Sequence, residues 1–337
     1  MHQISYHQKP SSLKMVGLRI PRPQASTVLG TLLLLALIVL ADYKEWDRRL
    51  YFHLKTTLSA AETRAPGVWL SDYQVVTQGK SIAGIDRNLS SIVHDWDADR
   101  LLAVSNGPAY LVSLDRSGNT LATYPLQGFG DIEAITYLGA GLLVLVEERA
   151  HRLNFVRLPE TPGPISVDQA QHFSLGINLS GNKGYEGIAF DPRSDRLFIV
   201  KERDPMQLLV ITGLVASLGT GLEIDIADLT TWIDGYFGTD LSSVHFDQQT
   251  GHLLLLSEES RLVVELNTVG ELVSYRSFSS WTSDLNQSAP RPEGITLDAQ
   301  GNMFMVSEPN LFYSFAKPSE TQSVTPGTHE TTHSELQ

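Results

Sequence analysis

Three glutamates share one sequence setting: Glu133 in DIEAI, Glu186 in YEGIAFD and Glu293 in PEGITLD. Each opens a short apolar run, and Ser90 and Ser242 take the matching place in NLSSIV and DLSSV. A second set of acids stands where each run returns: Glu147 and Glu148, Glu202, Glu258 and Glu259, and Glu308. Carboxylates gathered on one face repel each other, which raises their pKa values unless cations compensate. A hard cation such as calcium, with six to eight oxygen ligands at roughly 2.3–2.6 Å, answers that repulsion. The metal-ligand candidates are Glu186 and Glu293 first, then Glu133, Asp240, Glu202 and Glu308. The competing reading is structural, with these acids satisfying loop amides or pairing with Arg149, Lys201, Arg203 and Arg261. Gly187 and Gly294, each following a glutamate, fit either a close backbone approach or a bulge at the strand start.

What must position these acids is a repeat. Its copies are NLSSIVHDWDADRLLAVSN, DIEAITYLGAGLLVLVEER, YEGIAFDPRSDRLFIVKER, DLSSVHFDQQTGHLLLLSEES and RPEGITLDAQGNMFMVSEPN. Each joins two apolar runs through a polar turn, the pattern of a β-hairpin. Successive equivalent positions are 43, 53, 56 and 51 residues apart. Four-stranded units at about that period predict a β-propeller, here all-β and five-bladed. The strand-like WLSDYQVVT, Trp69 to Thr77, is expected to complete the blade begun by the last copy and LFYSF, closing the ring. A β-helix or sandwich is the alternative, disfavoured by the irregular spacing. Helix is expected over Asp42–Thr57 and, as an insertion between blades, over Ile224–Phe237.

Composition narrows the chemistry. The 42% hydrophobic content supplies a globular core, and a net charge of -13 argues against a nucleic-acid partner. With no cysteine, disulfides, thiolate zinc sites and cysteine nucleophiles are excluded. No nucleophile elbow, P-loop or dinucleotide fingerprint is present. His94 aligns with Tyr137, Phe190, Phe246 and Leu297, which marks a packed ring rather than a general base. The aromatics of EPNLFYSF, Glu308 to Phe315, either line a pocket or belong to the core.

The two ends differ from the middle. Residues 1–24 carry Lys9, Lys14, Arg19 and Arg22 without an acid, and Ala25 to Ala41 is apolar. That run is near the lower length limit for a membrane-spanning helix, and its basic flank predicts a cytoplasmic N-terminus with the remainder exported. The expectation is a single-pass signal anchor in the cell inner membrane, with the propeller on the periplasmic side. Cleavage after Ala41 is the competing outcome. Residues 42–65 then form a linker, 66–316 the propeller and 317–337 a polar, disordered tail.

The motifs YEGIAFD…VKERDP, DLSSVHFD…LLLLSEES and PEGITLD…VSEPNLFYSF resemble the SdiA-regulated (YjiK-like) family of bacterial envelope proteins. The resemblance runs from about Trp69 to Phe315 and extends to the preceding apolar segment. It implies a five-bladed propeller, distantly similar to NHL-repeat propellers, with a bound calcium ion. It brings no established activity. Two functions follow as expectations. One is a membrane-tethered, calcium-binding module for an unknown envelope ligand or protein. The other is a calcium-dependent hydrolase of lactonase or esterase type, with the metal at the mouth of the central channel and Glu202 or Glu308 as acid or base.

Overall fold

The computed structural model describes residues 29–36, 46–60, 66–176, 183–237 and 239–318. The chain divides into two compact units, Met1–Leu50 and Tyr51–Gln337. In the first, residues 29–36 are helical and expose Leu29 and Leu32 to Leu35. The rest of the expected membrane span, residues 25–28 and 37–41, lies outside the described residues, as do the basic N-terminus and residues 319–337. Among the described residues, no helix is long and apolar enough to cross a membrane.

The second unit is the predicted five-bladed β-propeller. Five sheets each present four antiparallel strands, and every repeat copy forms the first two strands of one blade. The inner strands are Leu89–Asp95, Ile132–Gly139, Tyr185–Asp191, Ser243–Phe246 and Arg291–Leu297, which define blades 1 to 5. Strand residues of alternating apolar type pack face to face between blades, so the core is a set of inter-blade layers.

The turn chemistry repeats with the strands. Asp95, Asp191, Asp247 and Asp298 end or follow the inner strands and accept hydrogen bonds from the turn amides of Asp97, Arg193, Thr250 and Gln300. Blade 2 has Leu138 at that place, and there Asp97 of blade 1 accepts from the Ala140 N–H instead. These aspartates shape turns.

Ring closure comes from the N-terminal strand. Gln74–Ser81 pairs with Leu311–Ala316 as the outer strand of blade 5, as WLSDYQVVT led one to expect. Just before it, the chain is clamped onto blade 4 by Glu265, which is fully buried. One Glu265 oxygen accepts from the Val68 N–H at 2.6 Å and lies 2.6 Å from His252 Nδ1; the other accepts from the Trp69 N–H at 2.9 Å and from the Ser274 hydroxyl. The N-terminal segment thus ties blade 4 to blade 5.

The expected helical insertion at Ile224–Phe237 is not one. Asp225–Asp228 is the outer strand of blade 3, paired with Leu209–Thr212, and only Thr230–Trp232 makes a 3-10 turn. The open edge of the blade takes up an extended segment whose local propensity is ambiguous. A helix does form at Trp46–Ala60, and its Phe52 is buried against Tyr236 and Tyr275.

Replacing Glu265 by Ala strands four buried donors and is expected to cost at least about 3 kcal/mol. By chemical denaturation the midpoint should fall with little change in slope, while Glu265→Gln, which keeps one carbonyl acceptor, loses less. Wild-type stability in Glu265→Ala would mean the clamp does not hold the ring closed.

Candidate functional site

The rim positions Ser90, Glu133, Glu186 and Glu293 share a local distortion. Strand register skips between Leu89 and Ser91, Ile132 and Ala134, Tyr185 and Gly187, and Pro292 and Gly294. The rim residue is therefore the extra residue of a β-bulge, a device that re-aims a side chain at the end of a ladder. Both sequence readings of the glycines hold together. A Cβ on Gly187 would come within 2.8 Å of the Val244 nitrogen, and one on Gly294 within 2.7 Å of the Ile92 nitrogen. The bulge turns the glutamate, and the glycine lets the next blade approach.

Blades 2 and 3 bring carboxylates together at this end. Ligating oxygens of Asp131, Glu133 and Glu148 lie within 4.8 Å of one another, and so do those of Glu148, Glu186 and Glu202. Glu148 joins the two groups. Its position is set by hairpin closure, in which the Glu148 N–H donates to the Asp131 carbonyl at 2.9 Å. Its side chain crosses to blade 3 and accepts from the Gly184 N–H at 2.8 Å. Glu202 is held by the equivalent bond, from its N–H to the Gly184 carbonyl at 3.1 Å. Buried Lys201 shapes the following loop by donating to the carbonyls of Arg203, Asp204 and Pro205.

Burial and crowding both disfavour ionisation here. Burial pushes Glu133 up to about 7; hydrogen bonds from Ser90 and Asn106 oppose the rise, and Asp131 and Glu148 add to it. Glu186 is raised well above the carboxylate range, first by burial and then by Glu202, Glu293, Glu133 and Glu148. Glu293 is raised likewise by burial, then by Glu258, with Arg291 opposing. Glu148 is raised mainly by burial. Among the described residues, Glu186 accepts no hydrogen bond and meets no basic side chain.

The basic groups stand around this cluster. Arg149 pairs with Asp131 at 2.7 Å, and Arg203 pairs with Glu202 and, at 2.8 Å, with Glu259. Arg291 pairs with Glu258 at 3.0 Å and with Glu308, and lies 3.6 Å from Glu293.

Of the acids singled out by sequence, Glu133, Glu186 and Glu202 are brought together. Glu293 is linked to Glu186 and Glu133 by charge but lies outside both close groups. Glu308 is held by Arg291. Asp240 is buried and spends its oxygens on the Ser257 and Thr239 hydroxyls and on the Glu258 and Glu259 amides. Its raised pKa is due first to burial, with those bonds opposing. Ser242 donates to the Pro292 carbonyl at 3.1 Å, joining blades 4 and 5.

Two participants escaped the sequence ranking, Asp131 and Glu148. Asp131 stands two residues before Glu133 as Asp240 stands two before Ser242, so the same signal marked both. Of the pair Glu147 and Glu148, Glu147 turns away to the Gly130 amide and Asn154.

The SdiA-regulated family model matches residues 65–316, the whole of the propeller. The chain belongs to this family. Solved structures similar to this SdiA-regulated propeller include a nidogen/laminin complex, at 13% identity and TM-score 0.42 over 66% of this chain and 73% of that one. A catalytically inactive virginiamycin B lyase from Staphylococcus aureus with quinupristin is similar at 10% identity and TM-score 0.43, over 72% and 99%. A streptogramin B lyase is similar at 11% and 0.39, over 74% and 99%.

The raised carboxylates of the SdiA-regulated propeller give its pH dependence a sign. An acid whose folded pKa exceeds its unfolded value lets the fold bind more protons, so stability is lost as pH rises through the folded pKa. His245, lowered to about 4 mainly by burial, and His151, also lowered by burial, act oppositely below the ordinary histidine value. The carboxylates are therefore read between roughly pH 6.5 and 8. In chelator, the melting temperature should fall by several degrees across that interval, and Glu186→Gln should flatten the fall. A wild-type melting temperature that is constant or rises there would contradict the crowding.

Proposed function

We propose that this protein is a membrane-tethered, calcium-binding propeller that serves as a binding module for a ligand or protein of the cell envelope. The observation that carries the metal part is the pair of carboxylate triads joined by Glu148, with ligating oxygens within 4.8 Å. The donor set fits a hard cation: every donor is an oxygen, and no histidine or thiol belongs to the cluster. Asp131, Glu133, Glu148, Glu186 and Glu202 would hold the ion, and backbone oxygens and water complete its shell. Calcium, when bound, supplies the positive charge that the cluster's interior lacks and fastens blade 2 to blade 3.

The binding reading is preferred to the hydrolase because of the partners of the two groups a hydrolase would use. Glu202 is paired with Arg203 and Glu308 with Arg291, so each side chain is already committed to an arginine rather than directed at a substrate. The tether rests on the basic, acid-free N-terminus followed by the apolar run Ala25 to Ala41.

Two measurements test the parts separately. Millimolar calcium should raise the melting temperature of the wild type by several degrees at pH 8, in line with ligand linkage. Glu186→Gln should do the reverse of a simple loss: it stabilises the chelated protein, by relieving repulsion, while abolishing most of the calcium response. A variant that responds to calcium like the wild type removes Glu186 from the site. For the tether, the full chain should sediment with inner membranes and a chain beginning at residue 42 should not; equal distribution of the two would refute the anchor.

A further inference from the structure

The channel has a second end. Two residues after each rim position stands a β-branched aliphatic: Ile92, Ile135, Ile188, Val244 and Ile295, one per blade and all buried. At about 3.3 Å per strand residue, this layer begins roughly 7 Å below the carboxylates. Beyond it lies a chamber of about 180 Å³, bounded by that layer and by the turns after the inner strands, where Gln249 and Ala299 are exposed. None of its lining residues is a lysine or arginine.

The chamber is lined by apolar and polar side chains together, the aliphatic layer at its inner end and His94, Thr136, His245 and Thr296 among its polar groups. The His94 N–H donates to Thr296 Oγ1 at 3.3 Å, and Thr296 Oγ1 lies 3.4 Å from His245 Nδ1. His94 Nε2 is occupied, 3.1 Å from Asp99. Among the described residues, His245 Nε2 and the Thr136 hydroxyl make no hydrogen bond, although both side chains line the chamber. Burial, reinforced by His94 and opposed by Asp247, keeps the His245 imidazole neutral at physiological pH. Asp247 and Asp298 at the outer edge are taken up by their own turn amides, and Asp298 also by Arg116 at 3.3 Å. An anion would meet no counter-charge there, and its desolvation would go uncompensated.

We propose that this chamber is a binding site separate from the carboxylate rim, taking a small molecule that carries no negative charge, with a compact apolar body and one hydroxyl that pairs with His245 Nε2, with Thr136 Oγ1 as the second contact. The volume equals that of about six waters at roughly 30 Å³ each, which suits a five- or six-membered ring with one substituent. An unbonded imidazole nitrogen facing an apolar wall supplies orientation, and the aliphatic layer supplies the area that is buried.

Two probes of one shape separate the possibilities: cyclopentanol and cyclopentanecarboxylate. Each is titrated into the full chain, labelled with 15N-histidine, while imidazole nitrogen shifts are followed by NMR. Cyclopentanol should shift the His245 resonance saturably in the millimolar range, and the carboxylate should not. Because the aliphatic layer separates the two ends, the shift should be the same in calcium and in chelator, whether or not the rim binds metal. His245→Phe assigns the resonance. Ala189→Leu, which fills the chamber from blade 3 and leaves His245 in place, should abolish the shift while keeping the rim's response to calcium. A response that is linear in concentration, equal for the carboxylate, or intact in Ala189→Leu overturns the site.

Discussion

A ring of blades exists only while its first and last strands are paired, and in this chain that pairing rests on a short N-terminal segment. Gln74–Ser81 completes blade 5, and the residues just before it are held on blade 4 by the buried Glu265 carboxylate. Closure has a consequence at the axis. All five inner strands begin at the same end, so whatever their first residues carry must share one small volume. The hydrophobic layers between blades offset the resulting repulsion, which is why carboxylates with raised pKa values persist at the mouth.

That shared volume is not symmetric. Blades 2 and 3 contribute five carboxylates, whereas blades 4 and 5 balance their acids with Arg291 and convert Asp240 and Ser242 into loop and inter-blade contacts. Arg203 marks the boundary by pairing with both Glu202 of blade 3 and Glu259 of blade 4. The uncompensated negative charge therefore lies off the axis, around Glu186 and Glu148. Five equivalent repeat positions have become three kinds of contact: glutamates within the crowded groups, a glutamate beside Arg291, and serines that donate to backbone carbonyls.

How far the sequence revealed this depends on the length scale of each cause. Strand pairs, turns and blade number are local and periodic, and they are legible from alternation and from turn aspartates such as Asp191 and Asp298. The closing strand was legible too, because an unmatched outer strand has to come from somewhere. The Asp225–Asp228 strand was not: its residues favour neither state, and the open edge of blade 3 decides. At the site, the rim glutamates were found by recurrence. Glu148 was harder to place because Glu147 and Glu148 differ only in which way each points, and register settles that. Asp131 and Asp240 share one sequence position. Their separate fates follow largely from Ser257 and the Glu258 and Glu259 amides, which occupy Asp240 from 17 to 19 residues away in sequence.

The glutamate–glycine pair that recurs in blades 3 and 5 also divides into two independent requirements. In blade 2 the same bulge turns Glu133 toward the mouth with Ala134, fully buried, in place of the glycine. The bulge alone is therefore enough to aim the acid. Gly187 and Gly294 answer a different demand, the approach of the neighbouring strands at Val244 and Ile92, where a methyl group would collide with backbone. The sequence EGI thus joins one residue that serves the site, one that serves blade spacing and one, Ile188 or Ile295, that belongs to the aliphatic layer between the rim and the chamber beyond. Blade 4 keeps only the last of these, as Val244, and blade 1 likewise as Ile92. All five blades contribute alike to this layer, which makes an aliphatic band between the two ends of the channel a property of the repeat itself.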